Sequence, residues 1–374
     1  VSGAAAYDLR AVAAMFDLPG EYIGGEPYGG GHINDTYRLI QQEGAARHNY
    51  ILQRINHNVF KRPDHVMQNI ERVTRYARER ILAAGRDPRR RVLTLVPARD
   101  GRIFFRDEAG NTWRVYLYID GASLYMTAPN LGVLYSAAKA FGEFQVLLAG
   151  LPGERLHETI PDFHHTRKRF AAFQEALARD AAGRAAEVRK EIDFILEREA
   201  DASVVIDLLE QGRLPERVTH NDTKINNVLI EENSGEGLCV IDLDTVMPGS
   251  TLYDFGDMVR AGAASAAEDE ADTRKAGIDM DRFIQLARGY ADAVRDLLAP
   301  TEWELLAFSA KLITYEQAIR FLGDYLNGDV YYKTHRPGQN LDRARTQIKM
   351  VAEMEKQMGL MEAIVDRCRN GTQG

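Results

Sequence analysis

His220-Asn221-Asp222-Thr223-Lys224-Ile225-Asn226-Asn227 runs directly into the apolar stretch Val228-Leu229-Ile230, and a second apolar stretch ends in Val240-Ile241-Asp242-Leu243-Asp244. Two short strands with polar residues at their ends bring Asp222, Asn227 and Asp242 around one point. Phosphoryl transfer needs this set. One carboxylate positions the acceptor hydroxyl and takes its proton, while an amide oxygen and a second carboxylate hold Mg²⁺ on nucleotide phosphates. A lone Asp is ordinarily a cap or a solvated side chain, but three such residues behind apolar strands favour a site. Asp244 divides evenly between a metal or substrate contact and a structural salt bridge.

Upstream, residues 7–16 read as a short amphipathic helix. Tyr22-Ile23-Gly24-Gly25, Thr36-Tyr37-Arg38-Leu39-Ile40 and Tyr50-Ile51-Leu52-Gln53-Arg54-Ile55 then read as consecutive antiparallel strands. Pro63 and Asp64 open a long helix carrying Val66, Ile70, Val73 and Ile81 at helical spacing. Two more strands are expected over 101–106 and 113–118. Past Ile119-Asp120-Gly121 the pattern turns helical, apart from a β-rich patch over 218–246. The fold class is α+β and two-lobed. Residues 1–119 form a small antiparallel β-rich N-lobe, and 120–374 a large, mainly helical C-lobe.

The chain has 374 residues, 27% of them charged and 45% hydrophobic, enough for a sizeable core in two lobes. Its net charge of −8 argues against a general nucleic-acid binder. No apolar run reaches the length of a membrane-spanning helix, and the N-terminal residues lack the order of a signal peptide. Its 2 cysteines exclude a disulfide scaffold and fit a reducing cytoplasm. G-x-x-x-x-G-K-[ST], H-E-x-x-H and G-x-S-x-G are all absent, which excludes a P-loop and the corresponding zinc and serine hydrolase sites. His164-His165 reads as a surface pair on a helix. Oligomeric state does not follow from the sequence.

H-x-D-x-x-x-x-N followed by an apolar strand and I-D-x-D resembles the aminoglycoside phosphotransferase and choline kinase group, within the protein-kinase-like fold. Gly31-His32-Ile33-Asn34, Ile51-Leu52-Gln53-Arg54-Ile55-Asn56, the 220–227 string and Arg320-Phe321-Leu322-Gly323-Asp324-Tyr325 are similar to N-acetylhexosamine 1-kinases. The resemblance implies ATP and Mg²⁺ as cofactors and a small-molecule sugar acceptor, with no nucleic-acid or membrane partner. Asp222 is then the catalytic base, Lys224 a phosphate contact, and Asn227, Asp242 and Asp244 the metal residues, with His220 bracing the loop. Asp254-Phe255-Gly256 spells a kinase metal motif, but Asp242 already fills that place. Asp254 and Asp257 are therefore expected to bond the backbone of the 220–227 loop.

For the nucleotide, Gly29, Gly30 and Gly31 form a turn that lets backbone approach phosphate. Gln53 and Arg54 stand where such a sheet carries its ATP-binding lysine, and which of them replaces it stays open. Arg54 is the candidate, since choline-kinase-like members also use an arginine there, with Glu71 on the following helix as its partner. Backbone near Tyr118 is expected to meet adenine. His32, Arg320 and Asp324 are the acceptor candidates, although Arg320 and Asp324 at i and i+4 also read as a simple ion pair. Another hexose, homoserine, an amino alcohol or an aminoglycoside are the alternative acceptors. A catalytically dead binding module is the alternative class, supported by the missing lysine.

Overall fold

Period-two burial builds the N-terminal sheet, with Leu39 and Gln41 on one strand and Tyr50 and Leu52 on the next withdrawn from solvent. The structure is a computed structural model and describes residues 7–29 and 33–371. The chain forms two units. One comprises Val1–Ala122, Leu151–Pro161 and Cys239–Val246, and the other Ser123–Gly150, Asp162–Leu238 and Met247–Gly374. A single division after residue 119 leaves out the two later segments that fold with the first unit.

In the first unit, α1 (Leu9–Ala13) precedes β1 (Glu21–Pro27), β2 (Asp35–Glu43) and β3 (Ala46–Ile55). Then come α2 (Pro63–Ala83), β4 (Leu95–Val96), β5 (Phe105–Arg106) and β6 (Thr112–Leu117). The sheet is antiparallel in the order β1-β2-β3-β6-β4, with β5 also beside β6. Its register sets Arg54 opposite Asp35 and Trp113, and Gln53 opposite Thr36 and Arg114. Leu52, Trp113 and Val115 share one face and pack with Val12, Ala13 and Phe16 of the α1 region. Gln53 and Arg114 point to the opposite face, where Met67 of α2 meets the Arg114 guanidinium.

β7 (Ala122–Ser123) leads out of the first unit into α3 (Leu131–Leu148), α4 (Thr166–Arg179), α5 (Arg189–Leu196) and α6 (Val204–Glu210). β8 (Arg217–Thr219), β9 (Val228–Glu231), β10 (Gly237–Val240) and β11 (Met247–Gly249) follow. The chain continues through α7 (Thr251–Gly262), α8 (Met280–Val294), α9 (Pro300–Glu304), α10 (Leu306–Leu326) and α11 (Gln339–Arg369). Phe170 and Phe173 of α4, Ile192 of α5, Ile319 and Leu322 of α10 and Val351 of α11 close one core, their burial supplying the main drive for helix packing. The fold is therefore α+β, with an antiparallel N-terminal sheet and a helical remainder. Among the described residues, no helix is long and apolar enough to cross a membrane.

Candidate active site

β8 and β11 pair in register and deliver the chain to His220. Gly249 is required there, because a Cβ at that position would collide with the Thr219 hydroxyl and the Asn221 side chain. Asn221 then takes a left-handed backbone, φ 65°, a conformation that Asn tolerates better than most residues. Its side chain bonds back to Thr219, accepting from Oγ1 at 3.0 Å and donating to the carbonyl at 3.2 Å.

Buried carboxylates hold the loop by its amides. Asp254 accepts from the backbone N–H of His220 at 3.0 Å and of Asn221 at 2.7 Å, and Asp257 accepts from that of Thr223 at 3.0 Å. Asp254 also takes a bond from Gln145, and Asp257 one from Arg260. The Asp-Phe-Gly run thus braces backbone. His220 is buried between the rings of Phe141 and Phe144, and its Nδ1 accepts from the Asp222 N–H at 3.3 Å.

Asp222 emerges from this scaffold. Lys224 Nζ lies 2.7 Å from its Oδ1, and Asn227 Nδ2 donates to its carbonyl at 2.8 Å and its Oδ2 at 3.1 Å. Burial acts to raise the Asp222 pKa, but the Lys224 ammonium outweighs it and holds the carboxyl below its usual value. Asn227 spends its amide nitrogen on Asp222, so its amide oxygen is the atom a cation would take.

Asp242 and Asp244 belong to the first unit. Asp242 is exposed, with a left-handed backbone at φ 57°. Asp244 is 2% exposed, and both its oxygens are engaged. Oδ1 pairs with Arg114, and Oδ2 accepts from Asn34 Nδ2 at 2.6 Å. Asn34 Oδ1 in turn accepts from the Asn56 N–H at 3.0 Å. Both Asp244 oxygens are thus spent within the first unit, on an ion pair and a hydrogen bond, as its structural reading expects. Arg114, the buried cation there, was not legible as a site residue, because nothing around it spells a motif.

Gln53 and Arg54, the two residues at the lysine position, point to opposite faces of the sheet. Strand alternation turns Arg54 to the α1 face, where its guanidinium bonds Asp35 at 2.7 Å and stacks on Tyr7. Gln53 occupies the α2 face and accepts from Arg114 at 3.0 and 2.8 Å. Glu71 sits half-buried on α2, the helix whose Met67 meets Arg114, while the Arg54 guanidinium bonds Asp35. Gly29 has φ 75°, which suits glycine in the expected turn, while Gly30, Gly31 and His32 lie outside the described residues. Tyr118 meets Tyr28 beside Gly29, hydroxyl to hydroxyl at 3.2 Å. Burial, and then this bond, push the Tyr28 hydroxyl up to about 12.

Of the acceptor candidates, Asp324 folds a turn. Its carboxylate accepts from the N–H groups of Val330, Tyr331 and Tyr332 at 3.0, 2.8 and 3.0 Å and from Asn340 at 2.9 Å. It neither pairs with Arg320 nor keeps an oxygen for a substrate. Arg320 instead lies over the rings of Phe163 and Tyr332, at 5.6 and 5.7 Å. Arg169 is its neighbour and donates to the Phe163 carbonyl at 2.9 Å. Burial, and then the Arg320 charge, lower the Arg169 pKa.

His164, expected at the surface, is buried. Its Nδ1 lies 2.9 Å from Glu316 Oε1 and its Nε2 2.9 Å from the Asn221 carbonyl. Both partners are acceptors, so both ring nitrogens carry protons. Burial opposes that charge, but Glu316 outweighs it and raises the His164 pKa. A raised histidine stabilises the fold fully below its unfolded pKa and loses that contribution as pH rises through the folded value. The melting temperature is therefore expected to fall as pH climbs above about 6.5, the unperturbed histidine value, with a smaller fall in His164→Gln. Identical slopes for both proteins would refute the charged His164.

Residues 24–287 match the model of the phosphotransferase enzyme family, APH. The chain belongs to that family. It is a small-molecule kinase-like phosphotransferase, and solved structures share its fold. An aminoglycoside phosphotransferase from Alicyclobacillus acidocaldarius aligns at TM-score 0.61 and 14% identity, over 98% of each chain. A microcompartment-associated aminopropanol kinase aligns at 0.57 and 16%, over 94% of this chain and 97% of that one. A spectinomycin phosphotransferase solved with ADP and its antibiotic aligns at 0.51 and 12%, over 89% and 93%.

Among the described residues, no group of three or more His, Cys, Asp or Glu is arranged to hold a metal ion. A Mg²⁺ carried on a nucleotide needs no such group, since one or two protein oxygens and the phosphates suffice. Asp242 in the first unit has an exposed carboxylate, and Asn227 in the second has an amide oxygen not spent on Asp222, each an oxygen of the kind such a cation takes.

Proposed function

We propose that this phosphotransferase uses ATP and Mg²⁺ to phosphorylate the anomeric hydroxyl of an N-acetylhexosamine, GlcNAc or GalNAc. The observation that carries the acceptor class is the pair Arg169 and Arg320 beside Phe163 and Tyr332. Arg320 connects to the 220–227 loop through Glu316, whose charge it feels, and His164. Two neighbouring guanidiniums repel a cationic amino alcohol or aminoglycoside. They donate hydrogen bonds to the oxygens of a neutral sugar, and the aromatic rings suit its apolar edges.

In this reading Asp222 orients the anomeric hydroxyl and takes its proton as the oxygen attacks the γ-phosphorus, and the bond to ADP breaks in line. Lys224 steadies charge on the transferred group. Asn227 and Asp242 are each read as offering an oxygen to Mg²⁺, whose charge would offset that of the phosphates when bound. The turn at Gly29 supplies backbone to the nucleotide. Arg54 has no part in this reading.

The test is a panel of acceptors with Mg-ATP, read by phosphorus NMR. A sugar 1-phosphate signal from GlcNAc or GalNAc is expected, with 1-O-methyl glycosides inert because the reacting hydroxyl is blocked. Phosphorylation of choline, homoserine or an aminoglycoside, with every hexose untouched, would overturn the acceptor and leave the phosphotransferase standing.

A further inference from the structure

Glu316 is a carboxylate with no solvent exposure in the middle of α10, a helix otherwise built to pack. Its Oε1 faces His164 Nδ1 at 2.9 Å, and its Oε2 accepts from Thr166 Oγ1 at 2.7 Å. A buried ion pair is a poor way to gain stability, since apolar side chains of like volume commonly serve as well or better. What an apolar pair cannot supply is the other bond of His164, from Nε2 to the Asn221 carbonyl at 2.9 Å.

That carbonyl is the atom through which the chain passes to Asp222. Asp254 and Asp257 hold the loop by its amide hydrogens, on His220, Asn221 and Thr223. His164 holds it from the other side by a carbonyl oxygen. Asn221 stands in the left-handed region at φ 65°, a conformation that persists where surrounding bonds over-determine it. The imidazolium is itself oriented by a carboxylate that is oriented by a threonine.

We propose that Glu316 and His164 are positioning residues that clamp the Asn221 carbonyl and so aim the Asp222 carboxylate at the acceptor. The effect is exerted through the backbone and touches no reacting atom. It rests on the reading of Asp222 as the base. Arg320 stands one turn past Glu316 on α10, and its charge acts on that carboxylate.

Two substitutions at one position separate positioning from packing. In His164→Gln the amide nitrogen reaches the place of Nε2 and keeps the bond to the Asn221 carbonyl. In His164→Asn the amide nitrogen reaches the place of Nδ1, which keeps Glu316 and abandons the carbonyl. Turnover is expected to stay within about 5-fold of wild type for Gln and to fall about 30-fold or more for Asn, in the range that a misaimed catalytic group costs. The KM for ATP should be unchanged in both. Hydrogen exchange of the 217–224 segment should accelerate in Asn and not in Gln.

Equal losses in the two variants, tracking their melting temperatures, would overturn the proposal, as would a reversed order. Should neither variant fold, Thr166→Val removes the bond that orients Glu316. It is expected to lower turnover about 3-fold at unchanged KM, the worth of a typical hydrogen bond, and wild-type turnover in it would overturn the proposal. Turnover is measured with whichever acceptor the wild-type chain uses. If it uses none, the functional reading fails, and the exchange data still decide the clamp.

Discussion

Asp222→Asn is expected to cut turnover by at least ~10²-fold while fold and ATP binding survive, the usual loss on removing a positioned general base. The substitution is nearly isosteric. The bond from Asn227 to the residue 222 carbonyl is untouched, and the side-chain oxygen of the new amide can still accept from Asn227. His220, Asp254 and Asp257 hold the surrounding backbone without using the residue 222 side chain. Lys224 loses its partner, but its side chain is 42% exposed and water replaces the carboxylate at small cost. What the proposed mechanism loses is its proton acceptor, because an amide oxygen is a far weaker base. Turnover, melting temperature and ADP binding measured on one preparation give the answer. Near wild-type turnover would remove Asp222 from the reaction.

The parts legible in the sequence share a property: the signal was local. Strand alternation in β2 and β3, Pro63 at the start of α2, and the 220–227 string each combine neighbours in the chain. The expectation that Asp254 and Asp257 bond loop backbone came from the same source, since Asp242 already filled the metal position. The sequence is less legible where one residue of register or a distant partner decides the matter. Gln53 and Arg54 are adjacent, and strand geometry alone sends one to the α2 face and the other to Asp35. Asp324 and Arg320 share a helix face, yet Asp324 finds stronger partners in three consecutive amides of the turn after α10. His164 meets Glu316 and Asn221, residues far from it in sequence, and no spacing rule connects them. Polar residues that do their work buried are the ones whose meaning depends on tertiary contacts, and single-sequence patterns carry little of that.

Arg114 and Asp244 present the same situation in the first unit, and here the expected effect is on stability. The guanidinium is 1% exposed and the carboxylate 2%. Burial acts to lower the Arg114 pKa, while Asp244, and more weakly Asp242, raise it above its ordinary value. Arg114→Met should therefore cost about 3–5 kcal/mol in denaturant unfolding, because it leaves Asp244 buried with Asn34 as its remaining partner. Asp244→Leu should cost a comparable amount by stranding the cation. The combined Arg114→Met, Asp244→Leu protein removes both charges and should be more stable than either single variant, which packing loss alone would not produce. The side-chain amide of Gln53 loses a donor in every case where Arg114 is replaced, so a residual deficit should persist in the double variant. Asp242 lies two residues from this pair on a left-handed backbone, and its aim depends on the short segment that Asp244 anchors. Activity in the double variant is therefore expected to stay low even where the fold is recovered. Single variants that unfold at the wild-type denaturant midpoint would show that the pair is not a structural anchor.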